Sequence, residues 1–571
     1  MKEMLHTSSQ RRPLLGRATP ILLVTGVLLL ALVIINPFRE MLAPDDGWAY
    51  ARMVQYALAT GRYQIHPFTV VNLPVQIFLA AGLAKIFGYS LILLRCITLA
   101  FLVLALVSFY LLLREFGHTR QLAAFVTVVL LASPLVLILS LAFMTDIQFL
   151  GWLLLALLLY VRGIKRDSAW QMFLGSLAAG CAIGTRQFGM ALVGGLMIAW
   201  ILSTPAVRPR LRLIVAGGLI PLLAAMGQVY VGIKHPDFTQ VNSLAGMHSF
   251  YQSPLLVILE EFFWRISILF QYIGMAALPL LPCVLLIPRS FWRQRVGRVP
   301  IWTYALVACA AIAFALSLSS HTARPAAQHR GLWEPLELQW VLSTYFAQSR
   351  VVMRFLDLFG IAGGGALIAL LVYKLREFRS VQSLCSLPPQ TRLILGVALS
   401  LLILHLPFGQ LNDTYVVGFL PFVLLLTADI LRSLPAHLPV LRISTAFVVS
   451  LVLAFALWLR GQYAQQQAGW DAAESLYHAG VPPDEIWGQF QWATYYGAFE
   501  EWMAEGHPVQ FGDWIADRWQ RAPYRVWNNS SPAAPPGWHL LAVHSYRNVV
   551  FKTRYVLTLQ RDPNAPGLAK Q

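Results

Sequence analysis

The sequence predicts an all-α polytopic membrane protein of about thirteen transmembrane helices, followed by a small C-terminal α/β domain. Three observations predict it. The 571-residue chain is 57% hydrophobic and only 12% charged, with a mean hydropathy of +0.61, whereas an average soluble domain carries about a quarter charged residues. Apolar runs near the roughly 20 residues that a helix needs to cross the hydrocarbon recur along the chain; a membrane β-barrel would alternate in segments of about ten instead. The composition turns polar at residue 460: residues 460–571 hold 9 Lys+Arg and 10 Asp+Glu, against 34 and 16 in the first 459.

The apolar runs place spans at about 20–38, 97–113, 122–141, 147–161, 170–185, 188–203, 213–232, 267–288, 301–319, 353–373, 391–408, 416–432 and 443–459. The first is read as uncleaved, behind a cytoplasmic segment 1–19, because "NPFREM" offers no small-x-small cleavage site. With the N-terminus inside, basic clusters fall on the cytoplasmic face: Arg11, Arg12 and Arg17; Arg114 and Arg120; Arg162, Lys165 and Arg166; Arg208, Arg210 and Arg212. The net charge of +17 thus resides in short membrane loops, which argues against a nucleic-acid partner.

Glu40, Asp45, Asp46, Asp146, Asp237, Glu260, Glu261, Glu334, Glu337 and Asp413 fall on the opposite, extracytoplasmic face, which becomes the candidate chemical side. The same topology makes "NLPVQIFLAAGLAKIFG" (72–88) an interfacial helix and puts residues 460–571 outside. Within that outer region, "HLLAVHSY" and "RYVLTLQR" read as strands around a turn.

Metal and disulfide chemistry find little support. Cys96, Cys181, Cys283, Cys309 and Cys385 lie in or beside apolar segments, with no CxxC pair. His66, His235, His248, His321 and His329 fall outside without HxxxH or HExxH spacing. The loop at 320–350, with Trp333, Trp340 and Tyr345, is either a cover over a bound ligand or an interfacial aromatic belt.

The first outer loop, "APDDGWAYARMVQYALATGRYQIHP" (43–67), has the logic of an amphipathic helix: an acidic start, apolar Met53, Val54, Tyr56, Ala57 and Leu58, and a stop at Gly61. Asp45 or Asp46 can cap it, but two adjacent side chains cannot share the same N–H groups, so one carboxylate is free. Further on, Asp146 stands at an N-cap position of the fourth span, facing the positive end of a helix. Two short spans meet at "GTRQFG" (184–189), a glycine-bracketed break that suggests a cavity-lining turn around Arg186.

The order of these segments resembles the GT-C superfamily of membrane glycosyltransferases, and more narrowly its protein O-mannosyltransferases and lipid A aminoarabinose transferases. The residues that carry the resemblance are the acidic pair after the first span, the helix ending "TGRY", "GYSLILLR" (88–95) and "YLLLREFG", then "SLAFMTDIQFLGWLLLALLLYVRG" (140–163), "LAAGCAIGTRQFGMALV" (177–193) and "NDTYVVGFLPFVLLL" (412–426). Arg186 and Gln187 stand where those families commonly carry Lys and Gly, and Thr414 stands where an arginine is usual.

The resemblance implies transfer of a sugar from a polyprenyl-phosphate donor to an acceptor hydroxyl at the outer face of the cell (inner) membrane, with inversion; the acceptor is a lipid, a glycan or a protein. It implies Asp45 as general base and Asp46 as helix cap or second acid. Asp146 reads either as a structural cap or as a further acid that orients the acceptor or holds a metal. GT-C enzymes differ in their use of a divalent ion, and no metal or other cofactor is assigned here. Arg186 either snorkels to headgroups or clamps the carrier phosphate with its planar fork, and Arg350 and Arg354, one turn apart in "YFAQSRVVMRF", have the same two options. Two rivals stand beside this reading: a transporter or lipid flippase, and a non-catalytic scaffold that keeps the fold.

Overall fold

A computed structural model describes residues 14–43, 46–66, 74–203, 210–234, 387–405, 413–433, 438–497, 521–547 and 552–562, with a few isolated positions between them. The expected spans at 267–288, 301–319 and 353–373 lie outside the described residues.

The described chain is a helical bundle with a small sheet at its C-terminal end. Its N-terminal half runs α1 (Leu14–Ile35), α2 (Gly47–Thr60), α3 (Pro74–Phe87), α4 (Leu91–Glu115), α5 (Arg120–Leu131), α6 (Pro134–Leu139), α7 (Thr145–Lys165), α8 (Ala169–Thr185), a 3₁₀ turn at Gln187–Met190, α9 (Ala191–Ile201) and α10 (Leu211–Lys234). The later part runs α11 (Pro389–His405), a 3₁₀ turn at Asp413–Gly418, α12 (Leu420–Ser433) and α13 (Leu438–His478). Four helices among the described residues are long and apolar enough to cross a membrane, within Leu91–Glu115, Thr145–Lys165, Leu211–Val231 and Leu441–His478; Ile21–Ile35, Arg120–Leu131, Gln187–Ile201 and Pro389–His405 are shorter apolar helices. The protein is a multi-pass membrane protein.

Several local expectations meet the structure directly. The helix after the acidic pair forms as α2, and Gly61 ends it in the left-handed region at φ 67°, which glycine adopts at no steric cost. The segment 72–88 forms the 14-residue α3, about 21 Å long and too short to cross a hydrocarbon layer of roughly 30 Å. It packs instead against α2 and α8.

One expected span is two helices. The run 122–141 breaks at Ser133–Pro134 into α5 and α6, because proline at the first position of α6 has no N–H to continue the α5 ladder. The chain then stays non-helical through Ser140–Met144, all buried, before α7 begins. Buried irregular backbone must find hydrogen-bond partners, and Arg95 in α4 supplies one here and three in the first outer loop: its Nε donates to Leu141 O at 2.9 Å, Nη1 to Arg39 O at 2.8 Å and to Pro37 O, and Nη2 to Met41 O at 2.6 Å. This 3%-exposed guanidinium therefore ties the first outer loop to the second.

At the opposite end of the bundle, Glu115 at the end of α4 pairs with Arg162 (2.8 Å), Lys165 (3.3 Å) and Arg166 (3.6 Å) at the end of α7. Asp167 pairs with Arg210 and Arg212, each at 2.6 Å. Clusters that the sequence places together on the cytoplasmic face thus share one end of the structure.

The 41-residue α13 runs unbroken to His478, so a boundary at residue 460 falls inside a helix. Beyond it come β1 (Ile486–Trp487), α14 (Phe490–Tyr495), β2 (Tyr524–Asn529), β3 (Trp538–Arg547) and β4 (Thr553–Arg561), with sheet order β1-β2-β4-β3. The expected hairpin is β3 and β4, antiparallel with Trp538 opposite Arg561, and β1 pairs β2 in parallel. This small region rests on α2: Glu500 accepts from Arg52 Nε at 3.0 Å and lies 3.2 Å from His66 Nε2, while Gln55 Nε2 donates to the Tyr495 hydroxyl at 2.9 Å.

Candidate active site

Three of the six site residues expected from sequence converge in the structure: Asp46, Asp146 and Arg186. Asp45, Arg350 and Arg354 lie outside the described residues.

Asp46 occupies the N-cap position of α2, yet its side chain makes no capping hydrogen bond; only its backbone carbonyl accepts, from Ala49 N at 3.0 Å. The carboxyl instead lies within electrostatic reach of the Asp146 carboxyl. Burial, with the like charge of Asp146 adding to it, pushes the Asp46 pKa up to about 7.

Asp146 departs from the sequence expectation. The N-cap of α7 is Met144, and Asp146 lies inside the first turn. Its Oδ1 takes a salt bridge from Arg186 Nη1, and the same nitrogen lies 3.1 Å from the Thr145 hydroxyl. Asp146 is 2% exposed. Among the described residues its Oδ2 is buried without a hydrogen-bond partner of ordinary geometry, and Thr414 presents a neutral hydroxyl toward the carboxyl group where the resembling families carry a cation.

Arg186 neither snorkels to the surface nor stands alone. It caps α8 in an extended conformation (φ −156°, ψ 130°), between that helix and the 3₁₀ turn. The turn folds back so tightly that a Cβ at Gly189 would come within 2.6 Å of Ile183 N and 2.8 Å of Ala182 C, so only glycine fits. The fold-back places Arg186 Cζ 4.7 Å from the Tyr415 ring and 5.7 Å from the Phe188 ring, both within cation–π range.

Residues the sequence reading did not single out complete the cluster. Tyr50 lies one turn after Asp46 on the same face of α2, within electrostatic reach of Asp46, Asp146, Arg186 and Tyr415. His405, at the end of α11, stacks on Phe188 with ring centroids 3.6 Å apart, and its Nδ1 is bonded to Leu401 O at 2.7 Å. Tyr415 was visible in the quoted "NDTYVV" stretch, and Tyr50 was visible by its spacing from Asp46. His405 carried no local signal. Among the described residues no three His, Cys, Asp or Glu side chains gather to hold a metal.

The arrangement offers a carboxyl that titrates near neutrality, a paired buried arginine, two phenols and aromatic walls. Chemically it can take a proton from a hydroxyl and stabilise an anion nearby.

Comparisons with known proteins bear on the fold and on part of the sequence. Residues 74–210 match the family model of dolichyl-phosphate-mannose-protein mannosyltransferases. No curated protein matches the chain in sequence. In structure the chain is similar to ArnT from Cupriavidus metallidurans bound to undecaprenyl phosphate, at 13% identity and TM-score 0.50, covering 96% of this chain and 98% of that one. It also aligns with the Archaeoglobus fulgidus oligosaccharyltransferase in its apo form, at 13% identity and TM-score 0.48, over 90% of this chain and 70% of that one. Residues 74–210 thus resemble the dolichyl-phosphate-mannose-protein mannosyltransferases in sequence, and the chain as a whole resembles ArnT in fold.

Proposed function

We propose that the protein transfers a sugar from a polyprenyl-phosphate carrier to an acceptor hydroxyl at the extracytoplasmic face of the cell membrane, inverting the anomeric centre. The observation that carries this reading is the convergence of Asp46, Asp146 and Arg186, from three separate segments, at the end of the bundle opposite the basic clusters. The family match over residues 74–210 and the undecaprenyl phosphate of the structurally similar ArnT support the class of donor.

In this scheme the acceptor O–H gives its proton to a carboxylate of the Asp45–Asp46 pair while its oxygen attacks the anomeric carbon. The bond from that carbon to the phosphate oxygen breaks on the far face, and the carrier leaves as an anion. Asp46 is supported as the base by its position and by a pKa near neutrality; Asp45 is supported by the resemblance. Arg186 offers its remaining N–H groups to the departing phosphate. Asp146 holds that guanidinium in place and keeps its charge buried, a positioning role in place of a second acid. Arg350 and Arg354 remain proposed as further phosphate contacts on the sequence reading.

The test is transfer by purified protein from polyprenyl-phosphate sugars, comparing wild type with Asp45→Asn, Asp46→Asn, Asp146→Asn and Arg186→Gln. Loss of transfer in either acidic-pair variant assigns the base. Undiminished transfer in all four sinks the assignment, and no transfer or donor hydrolysis by wild type favours the scaffold or the transporter.

A further inference from the structure

Asp46 and Tyr50 lie on one face of α2, with the buried Met53, Val54 and Ala57 on the same side. At about 100° per residue, Trp48, Arg52 and Gln55 project from the opposite face, and all three meet the C-terminal region. Trp48 is fully buried, with the Phe490 ring of α14 edge to face at 6.4 Å, and Phe490 in turn stands edge to face with Trp514 at 5.8 Å. Arg52 Nε donates to Glu500 Oε1 at 3.0 Å, and Gln55 Nε2 to the Tyr495 hydroxyl at 2.9 Å.

The loop after α2 joins the same contact. The His66 ring meets Trp48 edge to face at 5.1 Å. Its Nδ1 accepts from Phe68 N at 3.2 Å, so Nε2 carries the proton and donates to Glu500 Oε1, also at 3.2 Å. One oxygen of Glu500 therefore ties the helix to the loop that follows it. Gly497, at φ 89°, makes the turn between α14 and Glu500. On its own α2 is weak: it has 14 residues, near the length at which an isolated helix is marginal, and Asp46 gives it no side-chain cap. Its position comes from what packs on it, α3 on one side and the C-terminal region on the face behind Asp46.

We propose that Glu500 is a positioning residue for Asp46: with Phe490 seated against Trp48, it braces α2 from behind and fixes the face that carries Asp46 and Tyr50. The brace stands on these contacts alone; its consequence for transfer rests on the role given to Asp46 above. A general base must come within about 2.6–3.2 Å of the oxygen it deprotonates, so a small displacement of α2 takes the carboxyl out of reach. Arg186 is held by α7 and α8 instead. Release of the brace is therefore expected to slow the chemical step more than it weakens donor binding.

The experiment measures hydrogen exchange and transfer from polyprenyl-phosphate sugars on the same purified full-length protein. In Glu500→Ala, α2 amides are expected to exchange about tenfold faster, the equivalent of one charge-assisted hydrogen bond, with α4 and α7 unchanged. The value of kcat is expected to fall about tenfold while the donor KM stays within about twofold. Glu500→Gln keeps an acceptor for Arg52 and His66 and is expected to recover most of both losses; Arg52→Ala is expected to show a smaller loss of the same pattern. The proposal is overturned if α2 exchanges as in wild type in both alanine variants, if α4 and α7 loosen as much as α2, or if the loss falls on KM with kcat unchanged. Full transfer by Asp46→Asn beside a loosened α2 in Glu500→Ala overturns the base and leaves the brace standing; loss of transfer in Asp46→Asn with α2 unmoved in Glu500→Ala does the reverse.

Discussion

The two ends of the bundle handle charge in opposite ways. At one end, Glu115 meets three cations whose side chains are 25%, 35% and 56% exposed, and Asp167 meets Arg210 and Arg212, which are 67% and 55% exposed. At the other end, Asp146 and Arg186 are 2% and 11% exposed and lie among aromatic rings. Water shares the first set of charges, so each pair contributes little and can be lost. The second set has given up its hydration, and each member depends on its partner. The difference separates charge left hydrated at one end of the bundle from charge kept dry at the other.

The comparison breaks most sharply at Arg186. Arg186→Met strands the Asp146 carboxylate, and we expect about 3–5 kcal/mol of lost stability together with loss of transfer, measured by thermal unfolding in detergent and by the transfer assay. Arg95→Met removes four hydrogen bonds to backbone carbonyls, three of them buried; about 3 kcal/mol is expected, with Arg95→Lys recovering only part because an ammonium cannot span both loops. An unfolding temperature equal to wild type in either variant removes the clamp from the account.

The acidic pair sharpens the comparison through pH. Because the Asp46 pKa is raised to about 7, the folded protein holds a proton there that the unfolded chain has released, so stability falls as pH rises from about 4 to about 7. Activity that needs the ionised form rises over the upper part of that window. We expect the acid limb of the transfer rate near pH 7, and a stability profile flatter over pH 4 to 7 in Asp46→Asn. A limb near pH 4 assigns the base to a carboxyl of ordinary pKa. The smallest effect belongs to the exposed end: Glu115→Gln is expected to cost at most about 1 kcal/mol and to leave transfer intact.

Much of this was legible in the sequence where a local signal carried it. Gly61 announced the end of α2, the alternation in "RYVLTLQR" announced β4, and the glycines around Arg186 announced the break between α8 and α9. The division of 122–141 was carried by Pro134, but the apolar run on both sides hid it, because hydropathy does not distinguish one span from two buried half-helices. The pairing of Asp146 with Arg186 spans 40 residues, and a single sequence offers no local trace of such a contact. An acid at the start of a helix reads as a cap until its partner is seen. The residue-460 boundary followed composition, whereas α13 follows backbone hydrogen bonding, which continues past the last apolar turn.

The Arg95 clamp also orders events during synthesis. Three of its carbonyl partners, in Pro37, Arg39 and Met41, leave the ribosome before it does, and the fourth, Leu141, follows 46 residues later. Chains are built from the N-terminus onward, and a guanidinium near the membrane is costly until it is satisfied. The clamp can therefore be complete only once Leu141 of the second outer loop has been made.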